Sequence, residues 1–153
     1  MTTIDFYILP EQGGTSPLST AVKLCDKAAG AGRHLYVTSA DNAQLDALGD
    51  LLWTQRQGSF LSHERYQGSA PVAPLPQVLL GDGEPPEGWQ DILINLAAEV
   101  PPFFSRFERV LEIVPGDAAN RAKCRERFKF YRDRGYELKT FEQTAEGGWT
   151  AKT

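Results

Sequence analysis

The densest chemistry in the chain lies between Arg121 and Arg134. Seven of the sixteen basic residues stand there: Arg121, Lys123, Arg125, Arg127, Lys129, Arg132 and Arg134. Only Glu126 and Asp133 oppose them within the stretch, a net of +5, whereas the remainder holds nine cations against eighteen acids, a net of −9. A chain at −4 overall repels a polyanion nearly everywhere except at such a segment, which suits docking of one acidic partner better than a broad nucleic-acid surface. At about 100° per residue, Arg121, Arg125, Phe128, Lys129 and Arg132 fall within an arc of about 100° on a helix. Cys124 and Tyr131 fall alongside Phe128 and turn towards a core. The product is a cationic stripe with an aromatic edge, in which guanidinium groups pair carboxylates while an apolar notch takes a side chain. A plain solvated face is the alternative reading. A third is direct nucleic-acid binding, which one stripe without interleaved stacking aromatics makes weak and salt-sensitive.

Catalytic and cofactor chemistry is poorly represented. The two histidines are His34, in an expected strand, and His63, in an expected loop. No Gly-x-Ser-x-Gly elbow, His-x-x-x-His pair or Cys-x-x-Cys occurs, so neither a triad nor a zinc site is signalled. His63 lies near Ser59 and Ser62, but sequence neighbours are not thereby oriented for proton transfer, and a structural or partner-contacting role is expected instead. Cys25 falls on an apolar helix face. Cys124, beside arginines, is either a packed thiol or an activated thiolate. The first strand-to-helix turn, Leu9 to Ser16, has neither Gly-x-Gly-x-x-Gly nor Gly-Lys-Ser/Thr, and its Glu11 repels phosphate. No cofactor and no metal are expected. A small phosphorylated ligand or nucleotide at the strand ends remains the alternative from another class, supported only by the alternation of strands and helices described below. A second surface is marked by Trp53, at a helix end, and Phe60, in a loop: either an exposed aromatic anchor for a partner or a satellite of the core.

These groups need elements to hold them. Ile4–Leu9 reads as a strand ended by Pro10. Ser16 caps a helix with Pro17 in its first position and Gly30 or Gly32 at its stop. His34–Thr38 reads as a second strand, and Asp41 caps a helix with Leu45, Leu48 and Leu52 on its apolar face. Gly68–Pro76, with prolines at 71, 74 and 76, reads as a surface loop. Gln77–Leu80, Asp91–Leu96 and Arg109–Val114 are further strands, with a short helix carrying Phe103, Phe104 and Phe107 between the last two. A long helix runs from its cap Asp117 to Arg134 and stops at Gly135. Tyr136–Phe141 reads as a final edge strand. The order predicts an α/β fold: one open twisted sheet, mostly parallel, with helices on both faces.

Apolar residues at 41% and charged residues at 24% fit an ordinary globular chain, and no apolar run reaches the roughly 18 residues of a membrane helix. The start lacks an export signal and two distant cysteines suit free thiols, so a cytoplasmic protein is expected. The expected organisation is one domain over residues 1–143 with a loose tail at 144–153.

Several of these blocks together resemble a known family, the chi subunit of bacterial DNA polymerase III holoenzyme. The resemblance is carried by Phe6-Tyr7, by Leu52-Trp53 through Phe60 and His63, by Asp91–Leu96, and most specifically by Arg125–Arg132 followed by Gly135-Tyr136. It implies a Rossmann-like fold that binds no nucleotide and a non-catalytic adaptor role in the clamp-loader assembly. The implied partners are the acidic, phenylalanine-ended C-terminal tail of single-stranded DNA-binding protein and the psi subunit. Carried over by position, the tail site looks like Val114, Arg121, Arg125, Phe128, Lys129 and Arg132. Arg125 is placed on the terminal carboxylate, Arg121, Lys129 and Arg132 on acidic side chains, and Val114 and Phe128 around the notch. Trp53, Phe60 and His63 look like the surface facing psi or a competing helicase. The chain departs from the family pattern at Ser62, where a proline is usual, and in the Pro-rich stretch 71–76.

Overall fold

A computed structural model describes residues 1–54 and 61–152. Eight strands form one sheet: β1 (Thr3–Ile8), β2 (Leu35–Thr38), β3 (His63–Arg65), β4 (Val78–Gly81), β5 (Ile92–Asn95), β6 (Arg109–Val114), β7 (Glu137–Gln143) and β8 (Trp149–Lys152). Their spatial order is β3-β4-β2-β5-β6-β1-β7-β8, parallel throughout except for the antiparallel β7–β8 pair. Three α-helices accompany them, α1 (Pro17–Gly30), α2 (Asn42–Thr54) and α3 (Ala118–Asp133), with a single 3₁₀ turn at Phe104–Arg106. The expected α/β architecture is therefore the observed one.

The strands of the middle, β2, β4 and β5, are buried along their whole length, as near-continuous apolar runs covered on both faces must be. Alternation then divides the core in two. Leu35, Val37, Leu80 and Ile94 point to the layer of α1 and α2, with Cys25, Leu45, Leu48 and Leu52. Phe6, Tyr36, Leu79, Leu93 and Val110 point to the opposite layer, where α3 contributes Cys124 and Tyr131 and the 3₁₀ turn contributes Phe104. Local chemistry sets the helix ends. The Ser16 hydroxyl accepts from the Ser19 amide at 3.1 Å with Pro17 next in line. Asp41 accepts from the Ala43 amide at 2.9 Å, and Asp117 from the Asn120 amide at 3.1 Å.

Five expectations are corrected. His63 opens strand β3 rather than lying in a loop, and His34 precedes β2 rather than belonging to it. The segment 101–107 makes only a 3₁₀ turn, because Pro101 and Pro102 leave too few residues before Phe107 becomes extended. β7 is not the edge strand. The stretch expected as a loose tail turns at Gly147, whose φ of +99° favours glycine, and returns as β8 along β7. β8 is exposed at every residue, so no buried face marks it in the sequence as a paired strand.

Candidate functional site

The crossover from β6 to β7 places α3 on the sheet, over β1. Phe6 of β1 meets Phe128 with ring centroids 5.6 Å apart and Tyr131 at 6.0 Å. Cys124, Arg127 and Tyr131 form the buried side of the helix, and Arg125, Lys129 and Arg132 the exposed side. Arg121 and Phe128 are half-buried at the boundary. The helical arithmetic thus gives the orientation correctly for Cys124, Tyr131 and the stripe.

The count of charges misleads at Arg127, which is not a surface cation. Its Nε donates to Glu112 Oε1 at 3.1 Å, and both side chains are almost wholly buried. Glu112 also accepts from Tyr131 Oη at 2.7 Å and from Asn95 Nδ2 at 2.9 Å. Burial pushes the Glu112 carboxyl above its ordinary range, while the Arg127 charge and these hydrogen bonds pull the other way. The signal was present in the sequence: a glutamate centred in Val110-Leu111-Glu112-Ile113-Val114 requires a buried cation.

The remaining cations differ in how far they are committed. Arg125 makes no hydrogen bond or ion pair among the described residues and is exposed. Arg121 donates from Nε to the Gly116 carbonyl at 2.7 Å and from Nη2 to the Leu9 carbonyl at 3.2 Å, so it ties α3 to the ends of β1 and β6 while keeping its charge. Lys129 donates to Asp133 at 2.9 Å, and Arg132 lies 3.6 Å from the same carboxylate. The Lys129 hydrogen bond holds the Asp133 carboxyl below its usual range. Lys123 points away from the stripe, to Glu99 at 3.0 Å, and the Arg134 guanidinium lies 3.6 Å from the centroid of the Phe130 ring. The stripe is thus narrower than the count of seven suggests, with Arg125 its one uncommitted member among the described residues.

Phe128 supplies the aromatic edge. Val114, expected to line the notch, is fully buried in the core layer against which Phe128 packs, so it backs that surface and presents none of its own. Burial raises the Cys124 thiol despite the arginines nearby, which decides for a packed thiol, and burial pushes Cys25 up to about 12.

The second surface holds Trp53, 63% exposed at the end of α2, with the His63 ring edge-on to it at 5.6 Å. His63 Nδ1 lies 3.0 Å from the Leu61 carbonyl. Phe60 lies outside the described residues. At the ends of β1 and β6, Gly116 packs so tightly on the turn after β1 that a Cβ there would lie 2.2 Å from the Pro10 carbonyl oxygen. Among the described residues no cluster of three or more metal-ligating side chains forms, and no helix is long and apolar enough to cross a membrane.

The profile of the family described as "DNA polymerase III chi subunit, HolC" matches residues 1–139. The chain is 40% identical over 140 residues to DNA polymerase III subunit chi of Pseudomonas aeruginosa, covering 90% of this chain and 94% of that one. It is 30% identical over 138 residues to the subunit of the same name from Haemophilus influenzae, covering 90% and 95%, and 28% identical over 144 residues to that of Escherichia coli, covering 92% and 97%. The chain therefore belongs to the chi-subunit family of DNA polymerase III, an accessory subunit of the replication machinery.

Proposed function

We propose that this chi subunit is a non-catalytic adaptor of the clamp-loader assembly, working in the cytoplasm, that grips the acidic C-terminal tail of single-stranded DNA-binding protein on the exposed face of α3. The observation that carries the reading is Arg125: an exposed guanidinium without an internal partner among the described residues, one turn from the half-buried ring of Phe128. A guanidinium offers two parallel N–H donors to a terminal carboxylate, and the aromatic ring offers apolar surface to the residue bearing it. Arg121, Lys129 and Arg132 flank the pair and receive the acidic side chains. Asp133 weakens the last two, so Arg125 and Arg121 carry more of the charge recognition. Affinity on the order of micromolar suffices, because tethering in an assembly raises the effective concentration.

The exposed Trp53 with His63 marks the second docking surface in this reading, for psi or for a helicase competing with it, and the family resemblance assigns Phe60 to the same role. A large aromatic left open to water costs solubility and suits an interface anchor. Little direct nucleic-acid binding is expected, since the cationic area is small and the rest of the chain is acidic.

Fluorescence anisotropy with a labelled acidic peptide ending in a free C-terminal phenylalanine tests the tail site. Arg125→Ala is expected to weaken binding about 10- to 150-fold with the thermal midpoint nearly unchanged. Equal binding by wild type and variant would remove the site. Capture of psi from a lysate should be lost in Trp53→Ala and retained in Arg125→Ala.

A further inference from the structure

The face of the sheet opposite α3 is incompletely covered at the β1–β7–β8 corner. α1 leaves β1 across β6 towards β2, while α3 covers the other side of β1 and β7. The uncovered corner exposes an aromatic cluster. Tyr7 stacks on Phe141 with centroids 5.1 Å apart, and Trp149, 39% exposed, stands edge-on to Tyr7 at 5.4 Å. The profile match ends at residue 139, so Phe141 and Trp149 lie beyond the part of the chain the family defines.

Between this cluster and α1 lies a hollow of about 370 Å³. A second, of about 450 Å³, adjoins it and shares Tyr7, Leu24, Lys27 and Arg109. Together they follow α1 from Thr20 to its cap at Ala31, eleven helical rises or about 16 Å. That length matches about five residues of extended chain at roughly 3.3 Å each, and it is longer than a compact small molecule needs.

The charge beside the aromatic cluster is one-sided, whereas Glu108 lines the second hollow. Lys23 and Lys27, one turn apart on α1 and both exposed, make no hydrogen bond or ion pair among the described residues. No carboxylate lines the first hollow. Arg109 is committed to the buried Asp5, by 2.9 Å from Nε and 2.5 Å from Nη2, and Arg33 to Glu108. In a chain of net charge −4, two unmatched lysines beside stacked aromatics complement a ligand that is both acidic and apolar. β8 is also the outermost strand, so among the described residues its outer main-chain edge adjoins no other strand, which favours an extended peptide over a free anion.

We propose that the groove between α1 and the β1–β7–β8 corner is a docking site for an extended acidic peptide segment bearing a bulky apolar side chain, which enters beside Tyr7, Phe141 and Trp149 while its carboxylates meet Lys23 and Lys27. This site is separate from the α3 stripe and requires no terminal carboxylate.

The probe is a six-residue peptide alternating aspartate and phenylalanine, acetylated and amidated so that it carries no terminal charge. It is titrated to about 1 mM, the range where weak peptide docking is measurable, into the full chain while the tryptophan indole N–H resonances are followed by NMR. Trp149→Phe identifies the Trp149 signal among those of the three tryptophans. The Trp149 indole is expected to shift on titration, with an affinity read at that indole at least about fivefold weaker in Lys23→Ala/Lys27→Ala and the same as wild type in Arg125→Ala. Three results would overturn the site: an unmoved Trp149 indole, an equal Trp149 titration in the double lysine variant, or loss of the Trp149 shift in Arg125→Ala. A shift produced by an eight-nucleotide oligothymidine and not by the peptide would overturn it too, by assigning the groove to single-stranded nucleic acid.

Discussion

Arg125 and Arg127 are two residues apart in one basic run, and the structure gives them opposite roles, so replacing each by alanine should separate stability from recognition. Arg127→Ala removes the only cation hydrogen-bonded to Glu112 among the described residues and leaves a wholly buried carboxylate held by Tyr131 and Asn95 alone. Breaking one side of a buried pair costs about 3–5 kcal/mol. For a chain of this size that corresponds to a fall of roughly 6–20 °C in Tm. The loss should depend on pH with a definite sign. Burial already raises the Glu112 carboxyl above its ordinary value of 4.5, and removing the Arg127 charge raises it further. The folded variant then binds a proton that the unfolded chain releases above that ordinary value, so the variant's stability falls as pH rises from there. Urea denaturation of wild type and variant from pH 4.5 to 8 measures this, and the gap between them should widen with pH. Arg125→Ala should show neither effect. A Tm loss under about 2 °C for Arg127→Ala, or a gap independent of pH, would refute the assignment of Arg127 to the core.

Four further outcomes follow from particular contacts. Asp133→Asn frees Lys129 and Arg132 and should tighten acidic-peptide binding about two- to threefold in the anisotropy assay. Because Asp133 is held below its usual range, wild-type binding should also stay flat from pH 5.5 to 8.5. Cys25 and Cys124 should react with a disulfide reagent at least a hundredfold (order of magnitude) more slowly in the folded chain than in urea, since burial raises both thiols. Gly116→Ala forces a Cβ to within 2.2 Å of the Pro10 oxygen and should cost about 1–3 kcal/mol by denaturation, because the obstacle is backbone that cannot swing aside.

Much of the frame is legible in the residue order. Pro17 after Ser16, and Asp117 before a helix closed by Gly135, state their helix boundaries chemically, and the apolar runs of β2, β4 and β5 state their burial. What escapes is decided by partners distant in sequence. β3 is three residues long and becomes a strand only because β4 offers it an edge, and β8 pairs with β7 although every residue of it stays exposed. The site divides in the same way. Helical periodicity alone orients Arg125, Phe128, Lys129 and Arg132. Periodicity places Arg127 near Cys124 and Tyr131 too, but a count of charges treats it as surface. Only Glu112, fifteen residues away, withdraws it from the stripe. Val114 follows a similar logic: its place at the end of a buried strand leaves its side chain in the core and out of a ligand's reach.

The adaptor account rests on Arg125 meeting a terminal carboxylate, and a double-mutant cycle measures that contact directly. The four affinities are those of wild type and Arg125→Ala for the acidic peptide with a free C-terminal carboxylate and with the same terminus amidated. If the two groups touch, each single change weakens binding and the second adds little, leaving a coupling of about fivefold or more. Strictly additive losses, with coupling below about twofold, would place the carboxylate elsewhere and contradict the account.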